Sequence, residues 1–177
     1  MKWVNHLIIS GATTAVIAPP LVPIAMLGST APDWIEWIIK GLGGHVQHRG
    51  ITHYLTNWIG GMLFFGLVFD FHHIGLAFAY GGFTHVVADS LTVTGVPFAP
   101  WSDRRFHLFG GRLRTGDSGE FFVSGGVVVV CFALAFMFKG GIGGGGGFAP
   151  FFYNWAGHYE AGEVDASEWK KNRFKFF

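Results

Sequence analysis

Charged residues are scarce in this sequence. Asp, Glu, Lys and Arg make up 13% of its 177 residues, whereas they account for about 25% of a typical soluble domain. Half of the residues are hydrophobic, with 20 Phe and 7 Trp. This composition argues against an ordinary soluble domain and predicts a membrane protein whose expected partner is membrane lipid.

The number of cysteines and the net charge are low as well. The chain has a single cysteine, Cys131, which excludes an internal disulfide. The formal net charge of +1 is too small for the basic stripe that nucleic-acid binding requires. We therefore predict no nucleic-acid partner, and we leave self-association into a homo-oligomer open.

Four apolar stretches predict an all-α membrane protein built as a compact helical bundle. They cover about residues 7–31, 54–69, 74–94 and 121–138, and a bilayer core needs about 20 helical residues. Three prolines interrupt the first stretch, namely Pro19, Pro20 and Pro23. We expect this segment to dip into the membrane, break and return, which would bring His6 beside Asp33.

The organisation along the chain predicts one embedded domain and two appendages. Residues 1–138 form the membrane-embedded, multi-pass helical domain. Residues 139–149 are rich in glycine, cannot hold a helix and predict a flexible linker. Residues 150–177 mix aromatic and charged side chains, which is typical of a tail at the membrane surface.

The strongest candidate site lies in "GGFTHVVADSLTVTGVPFAPW". His85 and Asp89 are four residues apart and therefore project from the same face of a helix. An ionisable group within an apolar run is costly to bury and is usually functional. The pair has the chemistry to bind Zn²⁺ or Mn²⁺, or else it is a hydrogen-bonded lock between two helices.

Further candidates precede the second apolar stretch. In "QHRGITH", His53 is the better candidate for a metal ligand, and His48 and Arg49 are candidates for contacts with substrate or lipid headgroups. The alternative is that these histidines are solvated at the membrane edge. Asp70, His72 and His73 lie in the turn between the second and third apolar stretches, at the opposite end from the candidate site, and are expected to be solvated.

The stretch "GSTAPDWIEWI" adds two acids. Pro32 predicts a helix start with Asp33 in its first turn, so Asp33 is either a helix-dipole partner or a ligand. Glu36 lies one turn further on and faces the same way. His6 is either an interfacial residue or a ligand. The second and third apolar stretches, as two antiparallel helices, would return the chain to the same face, so that Asp33, His48, His53, His85 and Asp89 can meet there.

Six blocks of the sequence, in order, resemble one family. They are "NHLIIS", "APDWIEW", "HRGITHYL", "GFTHVVADSLTVTGVPFAPW", "RRFHL" and "RTGDSGE", and they cover about residues 5–125. The chain resembles the YdjM-like, LexA-regulated, membrane-bound metal-dependent hydrolases of the bacterial inner membrane. It is also distantly similar to the zinc-dependent phospholipase C and P1 nuclease superfamily.

The resemblance implies a set of site residues. The implied metal ligands are His6, Asp33, His53, His85 and Asp89. His48 and Glu120 match further family positions without an assigned role. The family's usual PDxDH block is altered here, because Ile35 stands at the second acidic position, and Glu36 is the candidate substitute.

These observations together predict a membrane-bound metal-dependent hydrolase. Its metal-activated water would attack the phosphoester of a phospholipid or lipid-linked substrate. We expect one or two ions, zinc or alternatively manganese, with Asp33 bridging a pair, and Glu36 or Glu120 as the general base. The arginines expected to neutralise phosphate are Arg104, Arg105, Arg112 and Arg114. The alternatives are a non-catalytic membrane protein with a structural metal or His–Asp site, and a small transporter.

Overall fold

The computed structural model describes residues 1–68, 73–138, 159 and 162–172, and in this part of the chain it is mostly helical. The helices are α1 (Trp3–Ile17), α2 (Val22–Gly41), α3 (Leu55–Leu67), α4 (Ile74–Ser90), α5 (Gly119–Phe138) and α6 (Ala166–Asn172). The predicted linker at 139–149, most of the predicted tail, Asp70 and His72 lie outside the described residues.

The predicted proline break is present. α1 ends at Ile17, because a residue that precedes proline is pushed out of the helical region. A 3₁₀ turn, Pro19–Leu21, connects α1 to α2, and α2 then packs back along α1. The first apolar stretch is thus two helices that form a hairpin.

Pro32 does not start a helix, so that prediction was wrong. It lies inside α2, which runs on to Gly41. A proline ring normally clashes with the carbonyl four residues earlier and removes one hydrogen bond, and here the packing of α2 against its neighbours outweighs that cost. Asp33 is consequently in the interior of α2, where the dipole of a helix N-terminus does not act.

The fold is not purely α-helical, because it contains a small sheet that the sequence did not predict. Strands β1 (Val96–Ala99) and β2 (Ser102–Phe106) pair antiparallel, with Val96 opposite Phe106. Val96 is fully buried against Leu55 and Val86, which fastens the strand pair to α3 and α4.

Helices α2 and α4 approach closely at glycines. A Cβ atom added to Gly81 would lie 2.0 Å from the carbonyl oxygen of Ala25, and one added to Gly28 would lie 2.1 Å from that of Phe78. Small residues of this kind allow two helix backbones to touch, as in many membrane proteins. This contact sets the distance between α2 and α4.

One helix in the described part of the chain is long and apolar enough to cross a membrane. It is the Gly119–Met137 portion of α5, whose side chains are largely exposed, for example Phe122 and Met137. α1 and α3 are apolar but shorter. The predicted multi-pass arrangement is therefore not supported.

The glycine contact between α2 and α4 can be tested by adding one methyl group. We expect Gly81→Ala to lower the free energy of unfolding by about 1–3 kcal/mol, the usual cost of overpacking. The matched control is Gly60→Ala in α3, where an added Cβ meets nothing within 4 Å and helix propensity favours alanine by about 0.5–1 kcal/mol. Thermal unfolding of the detergent-solubilised protein measures the stability of both variants. Equal unfolding midpoints for Gly81→Ala and Gly60→Ala would contradict the close contact between α2 and α4.

Candidate metal centre

Four chain segments bring imidazole and carboxylate side chains to one place in the core. α1 supplies His6 and α2 supplies Asp33. The 3₁₀ turn Ile51–His53 before α3 supplies His53, and α4 supplies His85 and Asp89. The three histidines are almost completely buried. The proline-broken hairpin does place His6 and Asp33 at the same cluster, as the sequence predicted.

His85 lies at the centre of this cluster. Its Nδ1 is 2.6 Å from the carbonyl oxygen of Ser29. A carbonyl only accepts hydrogen bonds, so Nδ1 carries the proton and Nε2 of the neutral ring has a free lone pair. Backbone acceptors commonly orient metal-binding histidines in this way.

The first group of candidate ligands consists of Asp33, His53 and His85. Asp33 Oδ1 lies 3.4 Å from His53 Nε2 and 3.9 Å from His85 Nε2. The other oxygen, Oδ2, accepts a hydrogen bond of 2.5 Å from the indole Nε1 of Trp3, which leaves Oδ1 turned toward the imidazoles. Asp33 is the most accessible member, with 16% of its side chain exposed.

The second group consists of His6, His85 and Asp89. The rings of His6 and His85 stack with centroids 3.8 Å apart, and His6 Nε2 lies 3.4 Å from Asp89 Oδ1. Asp89 already has two positively charged partners. Its Oδ1 pairs with the amino group of Met1, and its Oδ2 pairs with Arg49 at 2.9 Å.

The donor atoms fit a divalent metal ion. In the described residues, Nε2 of His6, His53 and His85 is buried and has no hydrogen-bond partner. Two ligands bound tetrahedrally at zinc distances lie about 3.3–3.5 Å apart, close to the observed separations of 3.4–3.9 Å. Unpaired nitrogens facing carboxylates at this spacing are what a cation would satisfy.

The protonation states also suit a cation. Burial raises the pKa of Asp33, but the imidazoles of His53 and His85 and the indole of Trp3 outweigh it and lower the value to about 2. Burial lowers the pKa of His85 well below its usual range, and nearby His6 adds to this effect. An ionised carboxylate, as at Asp33, and a neutral imidazole, as at His85, are the forms that bind metal.

The two groups of candidate ligands share His85 and differ in their carboxylate, which is Asp33 in the first group and Asp89 in the second. Asp89 directs Oδ1 at His6 and Oδ2 at His85, at 3.4 and 3.7 Å. Since one imidazole nitrogen binds one ion, His85 would serve only one of the two groups at a time. The bridging role of Asp33 stays a prediction.

The two predicted general bases lie beside the cluster, each with partners of its own. Glu36 is buried and accepts hydrogen bonds from Lys40 at 2.5 Å and His48 at 3.1 Å. Burial raises the pKa of Glu36, but these two partners outweigh it and lower the pKa. Glu120 Oε2 accepts from the backbone N–H of Lys2 and the amide of Asn5, which fastens α5 to α1.

The residues predicted to bind substrate fall into two environments. Arg49 is buried with a left-handed backbone (φ 57°). Besides Asp89, its guanidinium donates to Thr92 Oγ1 and the carbonyl of Gly95. His48 and the four arginines, by contrast, are exposed: Arg104, Arg105, Arg112 and Arg114. Their contact with a substrate stays a prediction.

Sequence reasoning missed the residues that hold the candidate ligands in place. These are the Trp3 indole on Asp33, the Ser29 carbonyl on His85 and the Thr52 hydroxyl, 2.9 Å from His53 Nδ1. A backbone carbonyl leaves no signal in a sequence. Trp3 gives a weak signal in the sequence, because Trp3 precedes His6 by three residues and so lies on the same face of the helix.

Fold and site together define a mostly helical membrane protein with one candidate span and a buried His/Asp cluster suited to a divalent metal. The family model of the YdjM inner membrane protein matches residues 1–143. The chain therefore belongs to the YdjM inner membrane protein family, as the six sequence blocks predicted. No curated protein and no solved structure matches it.

Arg49 offers a direct test of the cluster's electrostatics. We expect Arg49→Met to lower the free energy of unfolding by about 3–5 kcal/mol, because it removes a buried partner of the Asp89 carboxylate. Arg112→Met removes an exposed arginine and should change stability by less than about 0.5 kcal/mol. Denaturant unfolding compares the two, and similar stabilities would show that Asp89 does not depend on Arg49.

Proposed function

We propose that this protein is a membrane-bound metal-dependent hydrolase that cleaves a phosphoester of a phospholipid or lipid-linked substrate. One observation carries the proposal. Asp33 Oδ1, His53 Nε2 and His85 Nε2 converge within 4.8 Å of one another, and within the described chain both nitrogens are buried without a hydrogen-bond partner.

The number of ligands in this group supports a catalytic site. Catalytic zinc sites use three protein ligands and keep a further position for water or substrate, whereas structural sites are closed by four. Zinc suits the mixed nitrogen and oxygen donors, and manganese is the alternative. When bound, such an ion lowers the pKa of water toward neutrality and polarises a phosphoryl oxygen.

The chain's own residues supply orientation and proton acceptance. Trp3 and Ser29 hold Asp33 and His85 in position through hydrogen bonds. Glu36 acts through His48, whose Nδ1 it orients. The His48 ring is 69% exposed, and its centroid lies 5.9 Å from that of His53. His48 is thus placed to take up a proton beside the metal group and pass it to water.

A lipid substrate is supported by the surroundings of the site. The family is one of inner membrane proteins, and α2, α3 and α5 expose large apolar side chains such as Trp37, Leu63 and Phe122. A substrate held in the bilayer would meet the site by lateral diffusion. The exposed arginines after β1 are suited to phosphate, since a guanidinium binds it through two hydrogen bonds.

A non-catalytic role is the second candidate, and one observation favours it. Asp89 is already neutralised by Arg49 and by the Met1 amino group. The His/Asp cluster would then join four chain segments as a structural site, with or without a metal ion. The two candidate functions differ in one measurable property, since only the hydrolase turns over a substrate.

Metal analysis of purified protein, paired with a phospholipid hydrolysis assay, tests the proposal. We expect wild type to retain about one or two zinc or manganese ions, and His85→Ala and Asp33→Ala to lose at least about tenfold in metal affinity and in activity, as is typical when a metal site is damaged. The matched control is His45→Ala, which removes an exposed histidine and should change neither.

The outcomes separate the candidates. Wild-type protein that binds neither ion would reject the hydrolase. Tight binding without turnover of any phosphoester would establish the structural role instead. Binding and turnover that survive His85→Ala would place the site elsewhere in the chain.

A further inference from the structure

A second surface of the protein combines exposed aromatic rings with arginines. We call residues 96–114, which contain β1, β2 and the turn after them, the arginine–aromatic hairpin. Trp101 is 79% exposed and Phe109 is 81% exposed. Phe98 and Phe106 are also exposed. Rings this large rarely stay in water without a partner when they are grouped.

The charge on the arginine–aromatic hairpin has one dominant sign. Its four arginines, Arg104, Arg105, Arg112 and Arg114, are all exposed. The same segment contains a single acidic residue, Asp103. Positive charge interleaved with Trp and Phe is typical of a surface that meets the headgroup layer of a membrane.

The hairpin is held rigidly next to the candidate span. Val96 is anchored in the core against Leu55 and Val86. Leu113 exchanges backbone hydrogen bonds with the end of α4, donating to Leu91 and accepting from Val93. Arg114 precedes the first residue of α5, Gly119, by five positions, so continuity of the chain keeps Arg112 and Arg114 near the start of the candidate span.

We propose that the arginine–aromatic hairpin binds the headgroup layer of anionic phospholipids. The aromatic rings insert at the boundary between headgroups and acyl chains, and the guanidinium groups pair with lipid phosphates. The arginines assigned above to a substrate phosphate then have an additional role in docking the bundle on the bilayer. This proposal does not depend on the hydrolase, because it involves neither the metal cluster nor turnover.

Lipid selectivity of the full chain measures the anionic preference. Wild-type protein is reconstituted in nanodiscs, and spin-labelled phosphatidylglycerol is compared with spin-labelled phosphatidylcholine by electron paramagnetic resonance. We expect wild type to prefer phosphatidylglycerol. Arg104→Gln combined with Arg105→Gln should reduce that preference about thirtyfold, since two basic residues are removed and each contributes about 1 kcal/mol at an anionic surface.

The matched control removes the same charge elsewhere. Lys170→Gln combined with Lys171→Gln lies in α6, outside residues 96–114, and should leave the preference unchanged. An equal loss in both double variants would overturn the proposal, because net charge and not the hairpin would then determine lipid selectivity. No preference in wild type would overturn it as well.

Insertion of the aromatic rings is measured separately. An environment-sensitive fluorophore is attached at Pro100→Cys in a Cys131→Ala background, which keeps Trp101 in place, with His45→Cys as the exposed comparison site. We expect lipids brominated near the headgroup to quench the label at 100 more than the label at 45. Equal quenching, or a signal that changes with protein-to-disc ratio, would overturn the proposal, the latter by indicating a second copy as partner.

Discussion

The ion pair between Asp89 and Arg49 is the interaction on which the rest of this structure depends. A carboxylate that is 3% exposed needs opposite charge within a few ångströms, because burying an unpaired ion costs several kcal/mol. Arg49 supplies that charge at 2.9 Å and is itself held by Thr92 and Gly95. The pair therefore ties the loop after α2 to the end of α4, and the next residues of that loop deliver His53.

Close packing of the helices brings the other candidate metal ligands to this ion pair. Because glycine lets α2 and α4 touch at Gly28 and Gly81, Asp33 on one helix comes within 3.9 Å of His85 on the other. Helix α1 also joins this framework, because Asn5 on α1 donates a hydrogen bond to Glu120 on the candidate span, α5. The candidate span and α1, which carries His6, thus belong to one hydrogen-bonded framework.

Much of this arrangement could be predicted from sequence because its signals are local. The prolines after Ile17 predicted the hairpin of α1 and α2, and the i, i+4 spacing of His85 and Asp89 predicted one helix face. Predictions failed where a long-range contact outweighed a local preference. Pro32 is tolerated inside α2 because packing offsets its cost, and the pairing of β1 with β2 lacks the strong alternating pattern that marks longer strands.

The sequence by itself determined the membrane character, the helical segments, the family and the residue types available for a metal site, since each follows from composition or short-range spacing. Only the tertiary structure decided how those residues are used. It committed Arg49 to Asp89, gave Glu120 a partner on α1, and divided the candidate ligands into two groups that share His85. The physical reason is that contacts such as the Arg49–Asp89 ion pair, across 40 residues of chain, and the Lys2–Glu120 hydrogen bond, across 118, depend on how helices pack, which no local pattern records.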